Sequence, residues 1–130
     1  MSDLKRILYV DDEPSVSQIA ILVLQNIGGF DVLACTSGQE ALDAVEGFQP
    51  ELLLLDVMMP EMDGPATLEK LRALPVTANV PVVFMTGRSR PEDIASLKAL
   101  GAVDVITKPF DPASLPDQVR LAWQEAVSSS

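Results

Sequence analysis

The sequence predicts an α/β fold, a doubly wound five-stranded parallel sheet flanked by five helices. Three observations lead there. Short apolar runs alternate with amphipathic stretches five times at an even pace, the pattern of a parallel sheet with helices on both faces. Proline and glycine punctuate the amphipathic stretches, as in Pro14, Gly28-Gly29 and Gly101. One apolar run, Leu52-Leu53-Leu54-Leu55, has no polar alternation, which marks a strand covered on both faces.

Each element follows from local chemistry. Arg6-Ile7-Leu8-Tyr9-Val10 is a strand that stops at Asp11-Asp12. Apolar residues then recur at Val16, Ile19, Ala20, Val23 and Ile27, a helical spacing, with Pro14 suited to a first turn and Gly28-Gly29 to an end. Phe30 to Ala34 is a second strand. Gln39 to Glu46 is a short helix closed by Gly47. Glu51 to Asp56 is the third strand, and a helix runs from Gly64-Pro65 to about Leu74. Val80 to Met85 is the fourth strand, Pro91 to Leu100 a helix with Gly101 at its C-terminal end, and Val103 to Thr107 the fifth strand. A last helix spans Pro112 to Val127, with Pro116 disturbing its first turn. Ser128-Ser129-Ser130 is expected to fray. Connections are expected to be right-handed crossovers.

The chain has 130 residues, which at roughly 100–200 residues per domain predicts one domain over 1–130 with a core from about 5 to 127. No apolar run reaches the ~18–20 residues of a membrane helix. Met1 to Arg6 lacks the apolar region of a secretory signal. With 9 basic against 19 acidic residues, the net charge is −10. Phosphate contacts require clustered Lys and Arg, so nucleic acid is not an expected partner, and a cytoplasmic location is. Cys35 is the only cysteine and histidine is absent. That excludes an internal disulfide, a thiolate zinc cage and His-dependent nucleophilic catalysis.

In open α/β sheets, ligands bind beyond the carboxyl ends of the strands. Asp11-Asp12-Glu13, Asp56, Thr86 and Lys108 all stand just past a strand. Packed carboxylates repel, by roughly 4 kcal/mol per pair at about 4 Å and an effective dielectric of about 20. A held proton or a bound hard cation relieves this. An all-oxygen site points to Mg²⁺. Capping of the first helix by Asp11 or Asp12 is the plainer alternative, but it leaves Asp56 after four leucines unexplained. A carboxylate there can act as a nucleophile toward phosphorus. Lys108 supplies a mobile positive charge for phosphoryl oxygens, and Thr86 a hydroxyl donor.

Four strings carry a family resemblance: Ile7-Leu8-Tyr9-Val10-Asp11-Asp12-Glu13; Leu53 to Gly64, containing Asp56-Val57-Met58-Met59-Pro60 and Met62-Asp63-Gly64; Pro81 to Gly87; and Gly101-Ala102 with Thr107-Lys108-Pro109-Phe110. Together they make the chain resemble the response regulator receiver domains of two-component signalling, including the single-domain chemotaxis regulators. The resemblance implies a flavodoxin-like sheet of order 2-1-3-4-5. It implies that Asp56 is the phosphoryl acceptor, Thr86 the switch hydroxyl and Lys108 the essential cation. It further implies Mg²⁺ held by Asp12 and Asp56, by Asp11 largely through water, and by the backbone carbonyl of Met58. Lys108-Pro109 matches a family cis peptide. The implied donor is a phosphohistidine on a histidine kinase or histidine phosphotransfer protein, and the implied output is an unidentified downstream protein met by the surface of helix 4, strand 5 and helix 5. The resemblance stops with the fifth helix, so the expectation is a domain without its own output, working alone or belonging to a longer protein. The rivals are a Mg²⁺-dependent phosphohydrolase using Asp56, and a phosphorylation-independent interaction module. Met58 stands where the hydrolase would need a second acid.

Some positions depart from the family pattern. Val105 replaces the aromatic residue often found three positions before the lysine. Gly87 follows Thr86 and should loosen that loop. Arg88 and Met58 flank the phosphoryl site, and an apolar Met58 is expected to hinder in-line water. Phe110 and Cys35 read as core packing, and Met58-Met59-Met62 as loop packing. Trp123, at helical spacing from Leu115 and Val119, suits either core or interface.

Overall fold

A computed structural model describes residues 3–129. In chain order it holds β1 (Arg6–Val10), α1 (Pro14–Asn26), β2 (Asp31–Cys35), α2 (Gly38–Phe48), β3 (Leu52–Asp56), α3 (Gly64–Arg72), β4 (Val82–Thr86), α4 (Pro91–Ala99), β5 (Asp104–Thr107) and α5 (Leu115–Ser129). All strand pairs are parallel and the sheet order is β2-β1-β3-β4-β5. The five β-α units and the implied strand order are therefore present.

The apolar alternation of the strands divides the core into two layers. Ile7, Tyr9, Leu52, Leu54, Val83 and Met85 face α1 and α5, meeting Ala20, Leu24, Leu115 and Val119. Leu8, Val10, Leu53, Leu55, Val82 and Phe84 face the other helices, meeting Ala41, Val45, Leu68, Leu71 and Leu97. β3 and β4 are buried along their whole length, as their uninterrupted hydrophobicity requires.

Several boundaries differ from the sequence expectation. Gly47 does not close α2. The helix continues through Phe48, and Gln49 terminates it in a left-handed conformation (φ 54°), with its N–H bonded to the Val45 carbonyl. A polar Gln tolerates this because the bond satisfies an orphan helix carbonyl. Gly101, at φ +104°, does follow α4 as expected. α5 starts at Leu115 rather than Pro112, because Asp111 first builds a turn by accepting from Ala113 N and Ser114 Oγ. Pro116 then falls in the first helical turn, where no N–H is required, so it does not disturb the helix. The same helix carries Ser128 and Ser129, against the expected fraying, while Ser130 lies outside the described residues. Trp123 and Phe110 are half-buried against the α1–α5 layer, Val105 is half-buried against the other layer, and Cys35 is buried.

Two polar clamps were not read from the sequence. Arg72 donates to the carbonyls of Thr77 and Val80, at 2.9 and 2.7 Å, and fixes the α3–β4 connection. Arg120 donates to the Gly28 carbonyl at 3.0 Å and lies over the Phe30 ring, tying α5 to the turn after α1.

Candidate functional site

The parallel register brings four strand ends to one rim. Val10 pairs with Leu55, so Asp11 follows β1 beside Asp56 at the end of β3. Asp56 pairs with Met85, and Thr86 with Thr107, which carries Lys108 to the same edge. Lys108 N donates to the Thr86 carbonyl at 2.7 Å, and the Lys108–Pro109 peptide is cis.

The carboxylates of Asp11, Asp12 and Asp56 each offer an oxygen within 4.8 Å of the others. Asp11 and Asp56 are 1% and 3% exposed, so neither is shielded by bulk water. The Lys108 ammonium bridges them, 3.2 Å from Asp11 Oδ2 and 3.1 Å from Asp56 Oδ1. Asp11 is fully engaged: Oδ1 accepts from Glu13 N at 3.0 Å, and Oδ2 also accepts from the Tyr9 hydroxyl at 2.7 Å. Asp12 Oδ1 is buried without a hydrogen-bond partner among the described residues.

Neither Asp11 nor Asp12 caps α1. Its N-cap is Glu13, without a side-chain cap bond, so the plainer reading of the two acids is corrected. Asp11 instead turns back to hold the loop.

The electrostatics follow from this packing. Burial first, then the Asp11 carboxylate, pushes the Asp56 carboxyl from 3.8 up to about 6, although Lys108 opposes the rise. Burial pulls the Lys108 ammonium down, but Asp11 and Asp56 outweigh it, and the net direction is up. Three acids facing one lysine leave an excess of negative charge. An unpaired buried carboxylate oxygen beside it is costly unless a cation meets it. An all-oxygen donor set with such an open position fits a hard divalent cation.

The other residues named from the sequence lie around this cluster. Thr86 is 2% exposed, and its Oγ1 accepts from Arg88 N at 3.0 Å. Met58 is 60% exposed. It shares with Val57, Thr86, Arg88, Asp93, Ser96 and Leu97 a cleft of about 210 Å³ next to the acids. The loop after β3 folds tightly onto Asp56. Gly64 N donates to the Val57 carbonyl at 2.9 Å, and a Cβ at Gly64 would sit 2.5 Å from the Asp56 carbonyl oxygen. Asp63 holds this geometry by capping α3 through Ala66 N at 2.9 Å. The sequence marks Gly64 as a helix start and as part of the family string, and the fold adds that no side chain fits there. Tyr9 was read only as a strand residue, although its place two before Asp11 puts both side chains on one face of β1.

Comparison with known proteins agrees with the geometry. The family model for the response regulator receiver domain matches residues 7–120. The DNA-binding response regulator MtrA of Mycolicibacterium smegmatis is 38% identical over 116 residues, covering 89% of this chain and 49% of that protein. The probable transcriptional regulator ycf27 of Porphyridium aerugineum is 37% identical over 126 residues, covering 97% of this chain and 51% of that protein. The chain thus spans about half the length of these curated relatives. Among solved structures, the Vibrio cholerae chemotaxis protein CheY4 superposes with a TM-score of 0.84 at 28% identity, covering 92% of this chain and 98% of that one. A putative response regulator from Chloroflexus aurantiacus gives 0.83 at 29% identity, covering 95% and 99%. With this sheet order, this rim of acids and a family match over most of its length, the chain belongs to the response regulator receiver domains, the phosphoacceptor modules of two-component signalling.

Proposed function

We propose that Asp56 accepts a phosphoryl group from a phosphohistidine on a histidine kinase or phosphotransfer protein. A carboxylate oxygen of Asp56 attacks phosphorus. The P–N bond breaks and its electron pair stays on the imidazole nitrogen, which takes a proton from solvent. The observation that carries this reading is the Lys108 ammonium held between two buried carboxylates, beside an acid oxygen without a partner.

Lys108 sits one short movement from any phosphoryl oxygen on Asp56. Thr86 accepts from Arg88 N through its oxygen, which leaves the hydroxyl hydrogen free to donate to the same group. Asp12, Asp56 and the Met58 backbone carbonyl, with Asp11 largely through water, would hold Mg²⁺, which would supply positive charge against the transferring group. Phosphorylation adds roughly −1.5 to −2 charges, and the β4–α4 segment responds because Thr86 anchors it. α4 buries only Leu97 among its residues, so few apolar contacts resist its displacement. The surface of α4, β5 and α5 then changes its affinity for a downstream protein. Val105 supports this through packing, with no aromatic side chain to rotate.

The domain acts as a switch and not as a turnover enzyme, since Met58 offers no proton to a leaving group. A cytoplasmic location suits it. Among the described residues no helix is long and apolar enough to cross a membrane.

The donor protein must approach over the rim beside Lys108. There α1 carries no charged residue, exposes Ile19 and Leu22 at 46% and 56%, and borders an apolar cleft of about 150 Å³ with Pro109 and Phe110. Ile19→Glu is expected to slow phosphorylation by the donor protein by about tenfold, the effect of one lost apolar anchor, while leaving phosphorylation by acetyl phosphate unchanged. Equal slowing with both donors would contradict this docking face. Met58→Asn is expected to shorten the phosphoryl lifetime, measured as the rate of phosphate loss; a longer lifetime would contradict the screening role.

The overall reading is tested by incubating the protein with acetyl phosphate and Mg²⁺. Intact-mass spectrometry should show one added phosphoryl group that hydroxylamine removes and that chelation of Mg²⁺ prevents. Absence of any adduct would overturn the reading.

A further inference from the structure

Tyr9 is fully buried in β1, between β2 and β3, in the layer that faces α1 and α5. Its register partners are Ala34 and Leu54, and its surroundings are apolar. A phenylalanine would fill that layer as well. A buried hydroxyl is unfavourable there unless it finds a partner. The one it finds is Asp11 Oδ2, at 2.7 Å. Burial, reinforced by Asp11, holds the phenol far above the usual tyrosine range, so it stays a donor.

Asp11 therefore receives three donors, from Glu13 N, Tyr9 Oη and Lys108 Nζ, while Asp12 Oδ1 receives none. Resting on the reading above that the acids hold Mg²⁺, we propose that Tyr9 is a positioning residue for the cation. Its hydroxyl fixes the rotamer of Asp11. Without it, Lys108 is, among the described residues, the only side chain holding Asp11 Oδ2. The ammonium then has to restrain Asp11 as well as serve Asp56. Groups that orient a metal's ligands are worth about 10–100-fold in affinity.

Tyr9→Phe keeps the ring and removes only the hydroxyl. Mg²⁺ binding to both proteins is measured by calorimetry, alongside the Mg²⁺ dependence of acetyl phosphate uptake. The variant should bind Mg²⁺ about tenfold more weakly, with the half-saturating Mg²⁺ for uptake raised by the same factor. The limiting rate at saturating Mg²⁺ should stay within about twofold of wild type, as for a lost ground-state contact. The chain has one tyrosine, so the ¹³Cζ resonance of labelled tyrosine reports this hydroxyl alone, and it should move as Mg²⁺ is added to the wild type. Unchanged Mg²⁺ affinity in Tyr9→Phe would overturn the role of Tyr9 and leave the phosphoacceptor reading intact. So would a fall in limiting rate with an unchanged Mg²⁺ midpoint. A wild type that binds no Mg²⁺ would overturn both.

Discussion

Asp56→Asn is expected to end phosphoryl uptake and, in metal-free buffer at neutral pH, to make the fold more stable. The first effect is loss of the nucleophile. The second follows from the direction of the proton equilibrium. The folded protein raises the Asp56 carboxyl from 3.8 to about 6, through burial and then the Asp11 charge. The folded state thus holds this proton more tightly than the unfolded chain. Its contribution to stability is fully present below about pH 4 and is lost as pH rises through about 6. At pH 7 the ionised group opposes folding despite its contact with Lys108. One pKa unit corresponds to about 1.4 kcal/mol, so removing the charge stabilises on the order of 1–3 kcal/mol. Thermal melts in chelator should show the variant higher by on the order of 5 °C at neutral pH, with the gap closing toward about pH 4. Saturating Mg²⁺ should reverse the ranking, because only the wild type gains the full binding free energy. A variant less stable than wild type in chelator at every pH would contradict the charge balance assigned to the site.

Lys108→Ala acts in the opposite sense. It removes the sole side-chain cation within reach of Asp11 and Asp56 among the described residues. Breaking a buried ion pair by deleting one partner costs about 3–5 kcal/mol; Asp56 can answer part of that by taking up a proton, so a loss of about 3 kcal/mol is expected. Phosphoryl uptake should fall by about 10²-fold or more, as when a preorganised charge is removed from a transfer site. The double variant with Asp56→Asn should be more stable than the sum of the two single effects, because Asp56 opposes folding more once Lys108 is gone and the two changes are coupled through one contact. Chemical denaturation of the four proteins measures that coupling. Additive effects of the two changes would mean that the 3.1 Å contact contributes little.

The strand ends were legible because chemistry and topology point to the same place. An acid after four leucines, two acids after Val10, a threonine after Met85 and a lysine before Pro109 make sense only on the carboxyl edge of a parallel sheet. The register then does what the sequence implies. It brings Asp11, Asp12, Asp56, Thr86 and Lys108 together. The less legible parts depend on contacts remote in sequence. Nothing local shows that α2 runs past Gly47, since Gln49 stops it only by adopting a left-handed conformation. The start of α5 moved because Asp111 made a turn of its own. The roles of Arg72 and Arg120 need partners in loops that the fold alone brings close. Gly64 is the instructive case. Its helix-starting place is local, but its necessity comes from the Asp56 carbonyl 2.5 Å from any added Cβ.

The central claim is that the residue at the end of β3, and no other acid of the trio, carries the phosphoryl group. Borohydride reduces an aspartyl phosphate to homoserine, which peptide sequencing locates. After incubation with Mg²⁺ and acetyl phosphate, homoserine should appear at position 56 and vanish when Mg²⁺ is chelated. Homoserine at position 11 or 12, or none at all, would contradict the account.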